Sequence, residues 1–248
     1  MKPSRIDILG VPVEVLTMSS LLGRIRELIH TGHCAAAYGL NAHSLRLAAA
    51  DPSFLDELCR CDIVYADGAS ILLTARMLRA SLPEKLTTTD IWPEACRLAA
   101  TEGYSFFLLG GEPGLADAAG RKTLEKYPGL RIVGTHHGYF DFEDDRIVSV
   151  INAVRPDILW VGMGDPRQVL WTNAVRGKLE AGIIVTCGGM FKLLSGELKR
   201  APASCHRYGF EWLYRITREP SLWRRYAEDL PSLAWRILEA RLRNRTGC

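Results

Sequence analysis

The chain has 248 residues, of which 48% are hydrophobic and 24% charged, and a net charge of +3. That length suits one large α/β domain, or a core domain with an appendage, and the composition is ordinary for a soluble globular protein. No run reaches the roughly 18 apolar residues that span a bilayer, and the amino-terminal "MKPSRIDILGVPVEV" has neither an apolar signal core nor a cleavage site, which predicts a cytoplasmic protein.

Apolar runs alternate with helical patterns along the chain. A strand over "IDILGVPV" (6–13) precedes a helix near 17–30, and "CAAAYGL" (34–40) precedes one near 43–61. "DIVYA" (62–66) leads into helices near 69–80 and 91–102. "YSFFLLG" (104–110), "LRIVGTH" (130–136) and "DILWVGM" (157–163) are followed by helices near 114–126, 143–154 and 165–181, and "IIVTCG" (183–188) closes the series. Strand–helix alternation with near-continuous apolar strands predicts an α/β fold with a largely parallel, Rossmann-like sheet flanked by helices. Ligands of such sheets collect beyond the carboxyl ends of the strands. The residues there are Asn41 and His43, Asp67 and Gly68, Gly110 and Gly111, Gly162 to Asp165, and Gly188 and Gly189. Glycines in such a rim allow backbone N–H groups to approach a diphosphate closely.

The pattern changes near residue 190. Residues 190–248 hold 12 of the 31 Lys and Arg but only 6 of the 28 Asp and Glu, so a mildly acidic body carries a basic tail. The tail holds Trp212, Trp223 and Trp235, and Pro220 and Pro231 divide it into short helical pieces. Leu233, Ile237, Leu238 and Leu242 recur at helical spacing among Arg236, Arg241, Arg243 and Arg245. A basic amphipathic helix with aromatic anchors suits an anionic membrane surface, with packing on the core or a subunit contact as the alternative. The expected division is an α/β core over 1–195 and a basic, aromatic-rich helical C-terminal appendage over 196–248.

Several chemistries find little support. "VGMGDPRQV" places Gly162 and Gly164 as in a dinucleotide fingerprint, but Arg167 stands at the third glycine position and Pro166 interrupts the turn. There is no P-loop and no G-x-S-x-G elbow. The seven cysteines (Cys34, Cys59, Cys61, Cys96, Cys187, Cys205 and Cys248) form no C-x-x-C pair and read as reduced thiols. His136 and His137, adjacent on a strand, are expected to face opposite ways and not to share an ion. The acids of "DFEDD" (141–145) read as opening a helix. Basic residues gathered in the tail, beside apolar anchors, argue against nucleic acid. No metal ligand set or cofactor is expected, and metal use stays open.

Taken in order, "LNAHSL", "YADGASI", "TTTDIWPE", "FFLLGGEPG", "LRIVGTHHGYF", "DILWVGMGDPRQ", "CGGMFKLLSGELKRAP" and "GFEWLYRITREPSLWRRY" resemble the bacterial WecG/TagA/CpsF glycosyltransferase family. The resemblance implies an inverting transferase at the cytoplasmic face of the plasma membrane. It would move a sugar from a UDP-sugar to a sugar on polyprenyl diphosphate, with ManNAc, glucose or glucuronic acid as the donor sugar. It implies Asp67 as catalytic base, with Gly68 leaving room for a sugar ring. A helix N-cap is the alternative for Asp67. Asn41 would contact a sugar or cap a helix, and Asp90 would bind sugar or cap. Lys85 stands in the family's basic position before Asp90. Gly110, Gly111 and Gly164 would offer N–H groups to the leaving diphosphate, and Arg167 and Gln168 would add donors or stand as solvated first-turn residues. Arg200, Arg215, Arg218, Arg224 and Arg225 occupy the family's basic tail positions, where the Arg fork suits a diphosphate.

The sequence departs from the family pattern at Gly39 (usually Thr), Lys85 (Arg), Thr88 (Gly), Val169 (Glu) and Lys192 (an acid). Val169 and Lys192, which remove two carboxylates and add a cation, point either to altered donor specificity or to a catalytically degenerate, membrane-associated partner of a polysaccharide-synthesis complex.

Overall fold

The computed structural model describes residues 3–201, 211–219 and 222–246. The chain opens with an antiparallel hairpin, β1 (Arg5–Ile8) and β2 (Val11–Glu14). The expected single strand over 6–13 is therefore two, because Leu9 and Gly10 take positive φ and turn the chain between them. Helix α1 (Met18–Ile29) leads to β3 (Ala35–Leu40), α2 (Ala42–Ala50) and α3 (Pro52–Cys59). The expected helix over 43–61 is split at Asp51, whose side chain caps α3 while Pro52 supplies its first turn. Then come β4 (Ile63–Ala66), α4 (Ala69–Met77), α5 (Thr88–Glu102), β5 (Ser105–Gly110), α6 (Leu115–Lys126) and β6 (Arg131–His136). The series continues with α7 (Arg146–Val154), β7 (Ile158–Gly162), α8 (Arg167–Val175), β8 (Ile183–Thr186) and α9 (Met190–Leu194). Two further helices are α10 (Glu211–Arg218) and α11 (Leu222–Thr246).

Strands β3 to β8 form one six-stranded parallel sheet in the order β4-β3-β8-β7-β5-β6. Five of the six are buried along their whole length, as continuous apolar runs covered on both faces must be. One face packs under α1, α5, α6 and α9, with Trp92, Phe106 and Trp160 in edge-on and tilted contact. The other packs under α2, α3, α4, α7, α8 and the hairpin. Polar groups at the amino ends of the strands serve structure: Asp62 accepts from Ala36 N and Arg176, and Asp157 accepts from the N–H and hydroxyl of Ser105. The carboxyl ends form the opposite rim. The chain leaves β5 toward β6 and leaves its neighbour β7 toward β8, so these two strands flank a topological switch point.

Residues 222–246 are one helix running through Pro231, not short pieces divided by it. Leu233 and Ile237 are buried in the core beneath α2 and the hairpin, and Arg236 donates to the carbonyls of Leu45 (2.8 Å) and Leu9 (2.9 Å). Among the described residues, no helix is long and apolar enough to cross a membrane.

Candidate active site

Asp67 follows β4 directly, and its N–H donates to Leu40 O at 2.9 Å, so it extends the β3–β4 ladder to the rim. The N-cap of α4 is Gly68, with φ +89°, a conformation that favours glycine. Asp67 thus precedes the cap position instead of filling it, and it stands half-buried.

The segment before α5 folds over the same end of β4, where Leu86 N donates to Ala66 O at 3.2 Å. This brings Lys85 and Asp90 to the rim. The Asp90 carboxylate accepts from Thr87 Oγ1 and from the Arg200 guanidinium. Burial pushes its pKa up, but these two bonds and the charges of Arg200 and Lys85 outweigh burial and hold the group below the usual carboxylate value. The N-cap of α5 is Thr87, so Asp90 is an ion-paired acid in the first turn and not a cap. Asn41 does cap: its Oδ1 accepts from Ser44 N at 3.1 Å and the Ser44 hydroxyl answers its own N–H, a reciprocal capping box for α2.

At the other end of the rim the backbones themselves meet. Gly110 has φ +150°, and a Cβ there would lie 2.3 Å from Gly162 O, so only glycine fits. Gly111 N donates to Gly162 O at 3.1 Å and Gly138 N to Gly111 O at 2.8 Å. Gly164 turns the chain with φ +75°, and its carbonyl accepts from Gln168 N at 2.9 Å.

Gln168 is not a solvated first-turn residue. It is buried, donating to Asp165 Oδ1 (3.0 Å) and accepting from Gly188 N (3.1 Å), so it clamps the ends of β7 and β8 together. Asp165 also accepts from the buried Tyr38 hydroxyl at 2.7 Å. Burial raises the Asp165 pKa despite these two donors and the nearby His43 and Arg225. Arg167 is exposed, with its guanidinium 4.8 Å from the Phe142 ring and donating to Gly138 O at 3.3 Å.

The carboxyl-terminal helix reaches this rim through an ionic hub. Asp229 of α11 is buried and accepts from His43 Nδ1 at 3.0 Å and Arg46 Nε at 2.7 Å, with Arg225 Nε at 3.5 Å. Arg225 thereby stands toward Asp165, whereas Arg218 and Arg224 are exposed to solvent. The side chains of Trp212 and Arg215, and the whole of Cys205 and Cys248, lie outside the described residues. Sequence reasoning marked His43 and Asp165 as rim residues without a role. It missed Asp229, whose only signal is an acid on the tail's inward helical face.

Two departures from the family pattern find their surroundings here. Val169 is buried in the core under α2, and Lys192 pairs with Glu219 at 3.3 Å, just beyond α10. The expectation that His136 and His137 face apart is corrected. β6 ends at His136, so the pair is released from strand alternation and the rings lie 4.3 Å apart. They line a cleft of about 200 Å³ with Pro113, Gly114, Asp117 and Thr135, beside the start of α6. Among the described residues, no three His, Cys, Asp or Glu side chains gather as a metal site.

A doubly wound parallel sheet whose carboxyl rim presents a half-buried acid, an ion-paired acid and apposed glycines has the architecture of an α/β enzyme. The chain belongs to the glycosyl transferase WecG/TagA/CpsF family, whose model matches residues 6–247. It is 25% identical over 242 residues, 96% of this chain and 94% of the relative, to a protein from Staphylococcus aureus strain MW2 named N-acetylglucosaminyldiphosphoundecaprenol N-acetyl-beta-D-mannosaminyltransferase. Proteins of that name from strains NCTC 8325 / PS 47 and COL match to the same extent. The protein is a glycosyltransferase.

Proposed function

We propose that this glycosyltransferase is inverting and moves a hexose-type sugar from a UDP-sugar onto a sugar carried on polyprenyl diphosphate, with Asp67 as its base. The observation that carries this reading is the placement of Asp67. It is a half-buried carboxylate at the carboxyl end of β4, outside the N-cap position and at the strand end over which the segment before α5 folds. Asp67 takes the proton of the acceptor hydroxyl as that oxygen attacks the anomeric carbon. The bond from this carbon to the UDP oxygen breaks on the opposite face, and UDP leaves with the electron pair. Lys85, Arg200 and Arg225 are the cations for the diphosphates, and the Gly164 N–H adds a dipole, whereas the Gly111 N–H, expected to do the same, is taken up by Gly162 O. Asn41, Gly68 and Asp90 border the sugar, with Arg167 at the outer edge. Gln168 acts through Asp165 and Gly188 instead of touching substrate.

The reaction named for the staphylococcal relatives supports an N-acetylglucosaminyl-diphosphate lipid as acceptor. ManNAc, glucose and glucuronic acid are the donor sugars to try. The outer face of α11, with Trp223, Leu230, Trp235, Leu238 and Leu242 exposed beside Arg224, Arg241 and Arg243, supports peripheral contact with an anionic membrane on its cytoplasmic side. The departures that favoured a non-catalytic partner lose weight, because Val169 is a core residue and Lys192 is neutralised by Glu219.

The test is a panel of UDP-ManNAc, UDP-glucose and UDP-glucuronic acid against a short-chain polyprenyl-diphosphate-GlcNAc, with mass detection of product. Turnover by the parent, lost by roughly 10²–10⁴-fold in Asp67→Asn with UDP affinity kept, is the expected result. An Asp67→Asn enzyme as fast as its parent removes Asp67 from the chemistry. A parent inert with every donor returns the partner reading.

A further inference from the structure

Gly39 sits inside β3, buried, where a glycine weakens a strand and marks a close approach by another group. Its register partner on β4 is Tyr65, and parallel partners point to the same face of the sheet. A Cβ on residue 39 would lie 2.9 Å from Tyr65 Oη, 3.0 Å from Tyr65 Cε2 and 3.0 Å from Asp67 Cβ. The phenol therefore lies across the gap in β3, and Asp67 stands directly against the same gap. Tyr65 is fully buried, and its hydroxyl meets Thr88 Oγ1 at 3.3 Å, on the first residue of the helix that carries Asp90. Gly39 and Thr88, two of the departures from the family pattern, thus meet at one side chain.

We propose that Tyr65 is a positioning residue for Asp67: a phenol wedge, admitted by Gly39 and anchored by Thr88, that fixes where the carboxylate stands relative to α5. Burial, and then the neighbouring Asp67 charge, push the phenol's pKa far above its ordinary value, so the group stays a neutral hydroxyl and does not compete with Asp67 for the proton. The inference rests on Asp67 being the base.

The test compares the parent, Gly39→Ala, Tyr65→Phe, the Gly39→Ala/Tyr65→Phe double variant and Asp67→Asn. It measures kcat, KM for the donor that the panel identifies, UDP affinity by calorimetry and Tm. A displacement of the base by a few tenths of an ångström to 1 Å costs roughly 10-fold or more in kcat. Gly39→Ala is expected to lose that much with UDP affinity and donor KM within about 2-fold, the signature of a misplaced reacting group. Removing the hydroxyl in the double variant relieves the closest contact and is expected to return part of the lost kcat. Tyr65→Phe alone keeps the ring and is expected to lose a few-fold in kcat at parental Tm, which serves if Gly39→Ala fails to fold. Parental kcat in both single variants, with Asp67→Asn inactive, overturns the wedge and leaves the base standing. A double variant no better than Gly39→Ala also overturns it. An active Asp67→Asn overturns the base itself.

Discussion

Around Asp67 the rim is made of side chains that answer one another: Asp90 with Thr87 and Arg200, Lys85 nearby, and Tyr65 against Thr88. Around Gly110 it is made of backbone, with β5 set so close to β7 that no Cβ fits between them. The first region can lose a functional group while its fold persists; the second cannot change an atom without moving a strand. Gly110→Ala should therefore have the largest effect on the fold. The new Cβ would meet the Gly162 carbonyl at 2.3 Å, and neither partner is the free end of a flexible side chain. Strain and overpacking together are expected to cost about 3 kcal/mol or more, a fall of roughly 6–12 °C in Tm for a domain of this size. A thermal melt checks it, and a parental Tm would show that the β5–β7 contact yields. Asp67→Asn, by contrast, should leave the melt unchanged.

The same difference accounts for what the sequence made legible. The parallel sheet and its ligand-bearing rim follow from local pattern, because a buried strand needs a continuous apolar run and the polar residue ending it lies at the carboxyl edge. Asp67 and the glycines could be placed on that rim by counting along the chain, whereas Asp90, which follows no strand, is marked only through the family resemblance and reaches the rim because the segment before α5 folds over β4. The partners could not, since they come from remote segments: Arg200 to Asp90, Gly188 to Gln168, Tyr38 to Asp165, Asp229 to His43. Gln168 shows the consequence. A Gln beside an Arg at a helix start reads as an exposed donor, yet its amide is consumed between two strand ends. Pro231 misled in the other direction: α11 runs through it, held by tertiary contacts that propensity does not see.

Asp229 should give the next largest effect, confined to the carboxyl-terminal helix. Asp229→Ala leaves His43, Arg46 and Arg225 without their shared carboxylate and is expected to cost about 2 kcal/mol. Faster amide exchange over 222–243, with the sheet protected as before, is the readout, and unchanged exchange there would remove the hub from the docking of α11. The pH dependence has a definite sign. Burial raises the Asp229 pKa, but the bonds from His43 and Arg46, and the charges of His43 and Arg225, outweigh it and leave the group depressed. Its contribution is complete above the ordinary carboxylate value near 4 and is lost as pH falls through the lower folded value. Protection of the α11 amides in the parent, taken relative to the unstructured rate at each pH, should fall on acidification below about pH 4, with a smaller fall in Asp229→Ala.

The two faces of α11 carry the comparison to its smallest effect on the fold. Inward, Leu233 and Ile237 are buried, a contribution of roughly 2 kcal/mol each, whereas Trp223 and Trp235 on the outer side are 63% and 67% exposed. Replacing both tryptophans by Ser is expected to leave Tm within about 1 °C, as surface substitutions do. On the membrane proposal it should cut partition onto vesicles containing anionic lipid by roughly 10-fold or more, because each indole removes apolar area that an interface would otherwise cover. Sedimentation with vesicles at low and high salt separates the contributions. The arginines supply a part that salt screens, and the tryptophans a part that it does not. If the double variant binds as its parent does while salt still releases both, the contact is electrostatic alone. If neither variant nor salt changes sedimentation, the outer face of α11 meets something other than a membrane.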